Sequence, residues 1–271
     1  MAIRIGPYLI EEEIGRGGAA VVYRARDPLN RRDVAVKTLR IDSSSGAHER
    51  FLRECASAGE LRHPNVAAVY DVGTHDGHPY LVMELVDGRP LDLRRPRREV
   101  VGVLAKVARA LESVHLRGVV HRDLKPGNIL VDRRGEPRIV DFGLALYLGS
   151  KTVLTRTGFA VGTPAYMAPE QVLGWRELIG PATDIYAIGA MLYEALSGRH
   201  PHGRAFAEVW KSIHDRREPP LPRGPKKLAA ICRKAMAREV ADRHPRAGAL
   251  ADALEGWLRP RRKRRQRDAR M

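Results

Sequence analysis

The sequence predicts an α+β chain in two lobes, a small β-rich N-terminal lobe with one main helix and a larger α-helical C-terminal lobe. Three observations lead to this. A length of 271 residues exceeds what a single core usually serves. Up to about residue 84 the chain is made of short alternating runs separated by turn residues. Beyond Gly88 the period changes to that of helices, and it stays helical with loops to Leu258.

In order, Tyr8 to Ile14 and Val21 to Arg26 read as strands flanking a glycine turn, and Asp33 to Leu39 reads as a third strand. A helix from about Ala47 to Leu61 is stopped by His63-Pro64-Asn65. Val66 to Val72 and Pro79 to Leu85 form a strand pair around Thr74 to Gly77, and a hinge follows at about 84–88. Val100 to Leu116 has helical periodicity. Ile129 to Val131, the turn Asp132 to Pro137, and Arg138 to Val140 make a β-hairpin. There is no internal repeat.

With 44% hydrophobic and 30% charged residues, the composition is that of an ordinary globular chain. No stretch has the roughly 20 apolar residues of a membrane-spanning helix, and MAIRIGPYLIEEE has no signal region. The expected location is therefore cytoplasmic, free or attached to the inner face of the membrane, with no transmembrane segment. Cys55 and Cys232 lack CxxC or neighbouring histidine spacing, which excludes a zinc site and a disulfide framework and leaves them as reduced packing residues. The net charge is +16, of which residues 259–271, with eight Lys/Arg and one Asp, carry +7. Such a block reads as a disordered tail. A second basic cluster, Arg94-Arg95-Pro96-Arg97-Arg98, falls inside the folded region.

Four stretches carry chemistry. The run Ile14-Gly15-Arg16-Gly17-Gly18-Ala19-Ala20-Val21-Val22 leads into a strand, whereas Rossmann and P-loop glycines lead into a helix, so it reads as a flap above a nucleotide. In Val34-Ala35-Val36-Lys37, the period of two puts Ala35 and Lys37 on one face. Glu54 falls on the apolar side of the helix with Phe51, Cys55 and Ala58; an inward carboxylate needs a cation, and Lys37 is available. The hairpin brings Asn128 and Asp141 to its open end beside Asp123, a donor set suited to Mg²⁺. Between Asp141 and Glu170 runs a long Gly- and Thr-containing loop, where a phosphate on Thr157 would suit the guanidinium of Arg122.

Taken together, GRGGAAVVY, VAVK, HRDLKPGN, DFG and APE occur in the order of the protein kinase signatures, and residues 8–258 resemble that family. HRDLKPGN and GTPAYMAPE are similar to its Ser/Thr branch, and TRTG followed by VGTPAYMAPEQ resembles the bacterial eukaryotic-like (Hanks-type) members. The resemblance implies a bilobal protein kinase fold, with an N-lobe at about 8–84 and a C-lobe at about 89–258. It also implies transfer of the ATP γ-phosphoryl group to protein Ser/Thr hydroxyls, using ATP with Mg²⁺ or Mn²⁺.

Roles follow by position. The glycine run would cover the phosphates, and Val22, Ala35 and Leu130 would sandwich adenine. Met83 matches the gatekeeper, so the backbones of Glu84 and Val86 would bond the adenine edge. Lys37, held by Glu54, would contact the α- and β-phosphates, and Asn128 and Asp141 would hold the metal. Asp123 would orient the hydroxyl and accept its proton, Lys125 would steady the γ-phosphate, and Thr163 would position the substrate. Thr155 and Thr157 would be regulatory phosphorylation sites, sensed by Arg122. Glu170 would pair with Arg243, and Asp184 would anchor the catalytic loop from the core.

Two departures stand out. Ala20 replaces the third glycine of the loop, which adds a methyl and leaves ATP binding in place. The segment Leu91 to Arg98 is short and arginine-rich, which alters substrate recognition at the rim but not the chemistry. Expected partners are protein substrates, ATP, an anionic membrane surface reached through residues 259–271, and a second copy of the chain for autophosphorylation in trans. Nucleic acid is not expected, because no base-reading module accompanies the charge. The rival readings are a catalytically silent kinase-like scaffold, although Lys37, Asp123 and Asp141 are all present, and a binder acting through its basic tail.

Overall fold

The computed structural model describes residues 3–17, 20–39, 62–141 and 163–259. The expected helix at 47–61, with Glu54, lies outside the described residues, as do Gly18, Ala19, Thr155, Thr157 and residues 260–271.

An antiparallel sheet of six strands forms the N-terminal lobe: β1 (Arg4–Ile5), β2 (Tyr8–Arg16), β3 (Ala20–Asp27), β4 (Arg32–Leu39), β5 (Val69–His75) and β6 (His78–Glu84), in the order β1-β2-β3-β4-β6-β5. Strand alternation divides β4 between two apolar clusters. Val34 and Val36 pack with Ile5, Tyr8, Ala25, Tyr80 and Val82 on one face. Ala35 and Leu39 pack with Leu81 and Met83 on the other, lined by Ala20 and Val22. The register Ala35↔Met83 and Lys37↔Leu81 sets Lys37 across from the strand that leads to the hinge.

The β5–β6 hairpin begins and turns later than the sequence predicts. Its turn is Asp76-Gly77, both at positive φ (49° and 77°), the two-residue geometry whose twist suits adjoining strands. Val66 and Ala67 do not extend β5 because Ile139 claims them. Val66 bridges Ile139, and the Ala67 N–H donates to the Ile139 carbonyl at 2.9 Å. Asn65 completes the tie, accepting from the Ile139 N–H at 2.8 Å and donating from Nδ2 to the Pro137 carbonyl at 2.8 Å.

A second sheet, of β7 (Arg89–Pro90), β8 (Ile129–Val131) and β9 (Pro137–Ile139), lies on the C-terminal lobe side of that tie. The hairpin of β8 and β9 matches expectation except at Val140. That residue leaves the ladder, and its N–H turns to the Asn128 carbonyl at 3.0 Å.

The helical lobe comprises α1 (Arg97–His115), the short α2 (Pro169–Val172), α3 (Pro181–Ser197), α4 (Phe206–His214), α5 (Lys226–Ala235) and α6 (Ala247–Leu258). α1 starts three residues before the apolar run at Val100, since Pro96 is a suitable entry and the first turn tolerates charge. α3 extends on both sides of the uncharged stretch 185–193, from Pro181 to a left-handed Gly198 cap, and is buried along most of its length. Around it the core unites Leu104, Leu111, Ile188, Leu192, Cys232 and Leu250. The Cys232 thiol is buried against the Gly189 carbonyl at 3.4 Å, and burial pushes its pKa up to about 12, so it is a packing residue as predicted. Among the described residues no helix is long and apolar enough to cross a membrane.

Gly189 lies where α3 and α5 are in close approach: a Cβ there would lie 2.9 Å from the Ala235 Cβ and 2.7 Å from the Met236 Cγ. Gly189→Ala is expected to lower stability by about 1–3 kcal/mol in urea denaturation despite its better helix propensity, because the two helices must separate. Nearby, His202 lies between the Ser212 hydroxyl (2.8 Å from Nδ1) and the Tyr186 hydroxyl (3.1 Å from Nε2). Burial, aided by the Arg238 charge, pushes its pKa from 6.5 down to about 4. The unfolded chain thus binds this proton first, and stability falls as pH drops from about 6.5 towards 4. Denaturation midpoints across that window should show a shallower pH slope for His202→Gln than for the parent chain.

Candidate active site

The site grows from the loop that follows α1. Asp184, on the first turn of α3, is 1% exposed, and its carboxylate accepts three hydrogen bonds. These come from the His121 N–H (2.9 Å), the Arg122 N–H (2.8 Å) and Nε2 of His115 (2.8 Å). Arg122 takes a left-handed φ of 65°, costly for a residue with a Cβ. Its peptide is held from both sides, the N–H by Asp184 and the carbonyl by the Gln171 side-chain amide at 2.6 Å. Gln171 lies on α2, and its Oε1 in turn accepts the Ala168 N–H at 3.0 Å.

His121 is fully buried and joins the two halves of the site. Its Nε2 donates to the Val140 carbonyl at 3.1 Å, while Nδ1 accepts the Asp123 N–H at 3.3 Å. Asp123 follows, half open to solvent, with Lys125 Nζ at 2.7 Å from Oδ2. Asn128 is buried, and its Nδ2 donates to the Asp123 carbonyl (2.8 Å) and more weakly to its Oδ2 (3.4 Å). The hairpin then returns the chain at Asp141, again at a left-handed φ of 67°. Asp141 Oδ1 lies 2.8 Å from Lys37 Nζ, so a cation from β4 meets a carboxylate from beyond β9. Lys37 is nearly buried, and an ammonium there needs such a partner.

Asp123, Lys125 and Asn128 therefore form one hydrogen-bonded group and Lys37 with Asp141 a second, joined through the backbone by the Val140 N–H on the Asn128 carbonyl. Asn128 spends its amide nitrogen on Asp123, among the described residues no hydrogen bond is donated to its Oδ1, and Asp141 turns Oδ1 to Lys37. Two hard oxygens with room for further ligands fit a cation that is completed by phosphate oxygens and water. Among the described residues no group of three His, Cys, Asp or Glu could hold a metal unaided.

Above the cluster, the Gly17 N–H donates to the Ala20 carbonyl at 2.9 Å, and Gly15 and Arg16 pair with Val22 and Val21. Arg16 is turned outward onto Glu13, with Nε donating at 2.8 Å, and Ile14 is exposed. Ala20, Val22, Ala35 and Met83 share an apolar surface, and Leu130 lies under the hinge against Gly88. The Glu84 N–H is spent on the Ala68 carbonyl at 2.8 Å, so only its carbonyl is left on the hinge, beside Val86.

Thr163 is exposed at the head of the turn Pro164–Tyr166. The Tyr166 hydroxyl donates to Glu194 Oε2 at 2.6 Å, and burial together with that carboxylate raises its pKa. Glu170 and Arg243 are 1% and 0% exposed at their side chains and meet through two 2.7 Å hydrogen bonds. Thr183 Oγ1 also donates to Glu170, and Arg243 donates to the carbonyls of Ala182 (2.9 Å) and Ala237 (2.9 Å), so neither partner is left unsatisfied.

Sequence reasoning missed His115 and Gln171. His115 continues the buried stripe of Ala108 and Leu111 at helical spacing, and a titratable residue on such a stripe is the signal that could have found it. The Lys37–Asp141 pair was not expected either, and the expected partner Glu54 is outside the described residues.

The family described as protein kinase domain matches residues 8–247. The chain is 38% identical over 272 residues to the DNA damage-responsive serine/threonine-protein kinase RqkA of Deinococcus radiodurans, spanning 95% of this chain and 40% of that one. It is 37% identical to the serine/threonine-protein kinase PknA of Mycobacterium tuberculosis, over 92% of this chain and 61% of the relative. For PrkC of Bacillus subtilis the figures are 37%, 89% and 39%. The chain thus spans from about two fifths to three fifths of these relatives. The solved kinase domain of Mycobacterium tuberculosis PknI, in its C20A form, superposes with a TM-score of 0.73 at 25% identity, covering 94% of this chain and 97% of that one.

Breaking the buried pair should be expensive, since either partner alone is an uncompensated charge. Arg243→Leu is expected to cost about 3–5 kcal/mol of stability by chemical denaturation.

Proposed function

The chain belongs to the protein kinase family, in its bacterial eukaryotic-like Ser/Thr branch, and from that premise we propose that it transfers the γ-phosphoryl group of ATP to Ser/Thr hydroxyls of proteins. Members of this family use ATP with a divalent metal and act on protein substrates. The observation that carries the reading is the Asp123 cluster, in which a half-open carboxylate has a lysine at 2.7 Å and a buried amide at 2.8 Å from its own carbonyl.

In the proposed reaction Asp123 accepts a hydrogen bond from the substrate hydroxyl and aims its oxygen at the γ-phosphorus. The new P–O bond forms as the bond to the β–γ bridging oxygen breaks; ADP leaves, and the hydroxyl proton passes to Asp123 and then to water. With Lys125 Nζ 2.7 Å from its Oδ2, the carboxylate is placed for orientation more than for strong basicity. Lys125 would move to the γ-phosphoryl oxygens as their charge redistributes. Lys37, now on Asp141, would turn to the α- and β-phosphates with Glu54 as its other partner. Asn128 Oδ1 and Asp141 Oδ2 would hold Mg²⁺ or Mn²⁺, which neutralises phosphate charge. Val22, Ala35 and Leu130 would enclose adenine, with the Glu84 carbonyl and the Val86 N–H on its edge, behind Met83. Thr163 would steady the substrate. A turnover of roughly 1–100 s⁻¹ corresponds to a barrier of about 15–17 kcal/mol, for which positioning and charge are sufficient means.

Control is assigned to autophosphorylation by a second copy at Thr155 and Thr157, sensed by Arg122. The basic segment 259–271 keeps an anionic membrane surface as its proposed partner, on the strength of its charge alone.

Incubation with labelled ATP and Mg²⁺ tests the activity. Phosphoserine or phosphothreonine should form on a generic basic substrate. Asp123→Asn should lower kcat by about 10²–10⁴-fold with nucleotide binding retained. Equal labelling by the variant, or none by the folded parent chain, would refute the proposal. Mapping the labelled positions reads Thr155 and Thr157 in the same experiment.

A further inference from the structure

Six cations outside the Asp123 cluster come from three chain segments, and the fold gathers them on one face. Arg97 and Arg98 open α1, Arg223 precedes α5 and Lys226 and Lys227 begin it, and Arg259 follows the end of α6. Short contacts join the segments. Arg98 Nη2 donates to the Leu258 carbonyl at 2.5 Å, with its guanidinium 5.6 Å from the Trp257 ring centroid. Lys227 Nζ donates to the Gly256 carbonyl at 3.2 Å, and a Cβ on Gly224 would lie 3.9 Å from Arg97 Cζ.

All six are exposed, and among the described residues none is ion-paired with a carboxylate. The carboxylates of the same segments are used elsewhere: Asp92 by Arg94, Glu99 by Arg95, and both Asp252 and Glu255 by Arg109. The stretch 221–227 contains no acidic residue at all. The positive ends of the α1 and α5 dipoles add to the same field.

We propose that this face docks the C-terminal lobe on an anionic lipid bilayer. Uncompensated cations on long exposed side chains need a partner that presents negative charge over an area, without a fixed pattern. The apolar element present suits a headgroup boundary: Leu221 is 66% exposed two residues before Arg223. A nucleic acid finds less here, because the one ring on these segments, Trp257, is partly buried with Arg98 over it, and stacking needs an open ring face. Of the basic segment 259–271 the face uses Arg259 alone, so its other five cations are independent of the reading given to that segment.

Co-sedimentation of the full chain with vesicles of phosphatidylcholine, with and without phosphatidylserine, tests the proposal in the absence of ATP. Arg223→Gln, Lys226→Gln and Lys227→Gln together remove three exposed charges of this face that lie outside the Leu91 to Arg98 segment. An equal loss placed elsewhere, Arg4→Gln, Arg133→Gln and Arg134→Gln, is the control. The first set should weaken binding to phosphatidylserine vesicles about tenfold or more while the control stays near the parent, with melting temperature and ATP-dependent labelling unchanged in both. The same difference should persist when every Lys and Arg of 260–271 is Gln. Equal losses in the two sets, no loss in the first, or tighter binding of duplex DNA than of phosphatidylserine vesicles at the same salt would overturn it.

Discussion

Asp184 is a carboxylate sunk into the base of α3, a helix buried along most of its length, and the loop from His121 to Asn128 hangs from it. An ion buried to that degree is tolerated only when donors meet its lone pairs, and three do so at 2.8–2.9 Å. Two of them are consecutive backbone amides, so the carboxylate holds the orientation of a peptide plane as well as a side chain. That grip makes the left-handed backbone at Arg122 tenable, at an expense of about 1–3 kcal/mol. The reversal it produces sends His121 inward and Asp123 outward. From His121 the order continues to Val140, one residue before Asp141, so the two oxygen-bearing strands of the site share one support.

The link between the lobes is made differently. Among the described residues it is made of backbone hydrogen bonds of Asn65 and Ala67 with β9, flanked by the ion pair of Arg138 with Glu84 at 3.4 Å, and of a second ion pair across the gap, Lys37 to Asp141. The hydrogen bonds are directional, whereas Lys37 and Asp141 are opposite charges that meet from the two lobes.

Much of this could be read from residue order, because the chemistry is local. Val34 and Val36 do face away from Ala35 and Lys37, and the hairpin does return the chain from Asn128 to Asp141, since both follow from strand period and pairing. The failures have a common cause. β5 starts late because Val66 and Ala67 are taken by Ile139, and Asn65 by a carbonyl 72 residues away. His115 and Gln171 matter through partners 69 and 49 residues distant. A short polar or apolar stretch carries no sign of such a partner until the fold supplies it. Glu54, Thr155 and Thr157, legible as motifs, fall outside the described residues.

The Glu170–Arg243 pair spans 73 residues, and α6 at the end of the lobe packs on α1 at its beginning, with Arg246 reaching Glu112 at 2.7 Å across 134 residues. During synthesis the chain emerges from the ribosome in order, and contacts of such long range close last. A nascent chain that has already exposed every catalytic motif therefore still holds Glu170 without its cation and α1 with a bare apolar face. The core of this lobe closes only when α6 is released, so the same delay that postpones the Glu170–Arg243 pair leaves the α1 face exposed to misfolding.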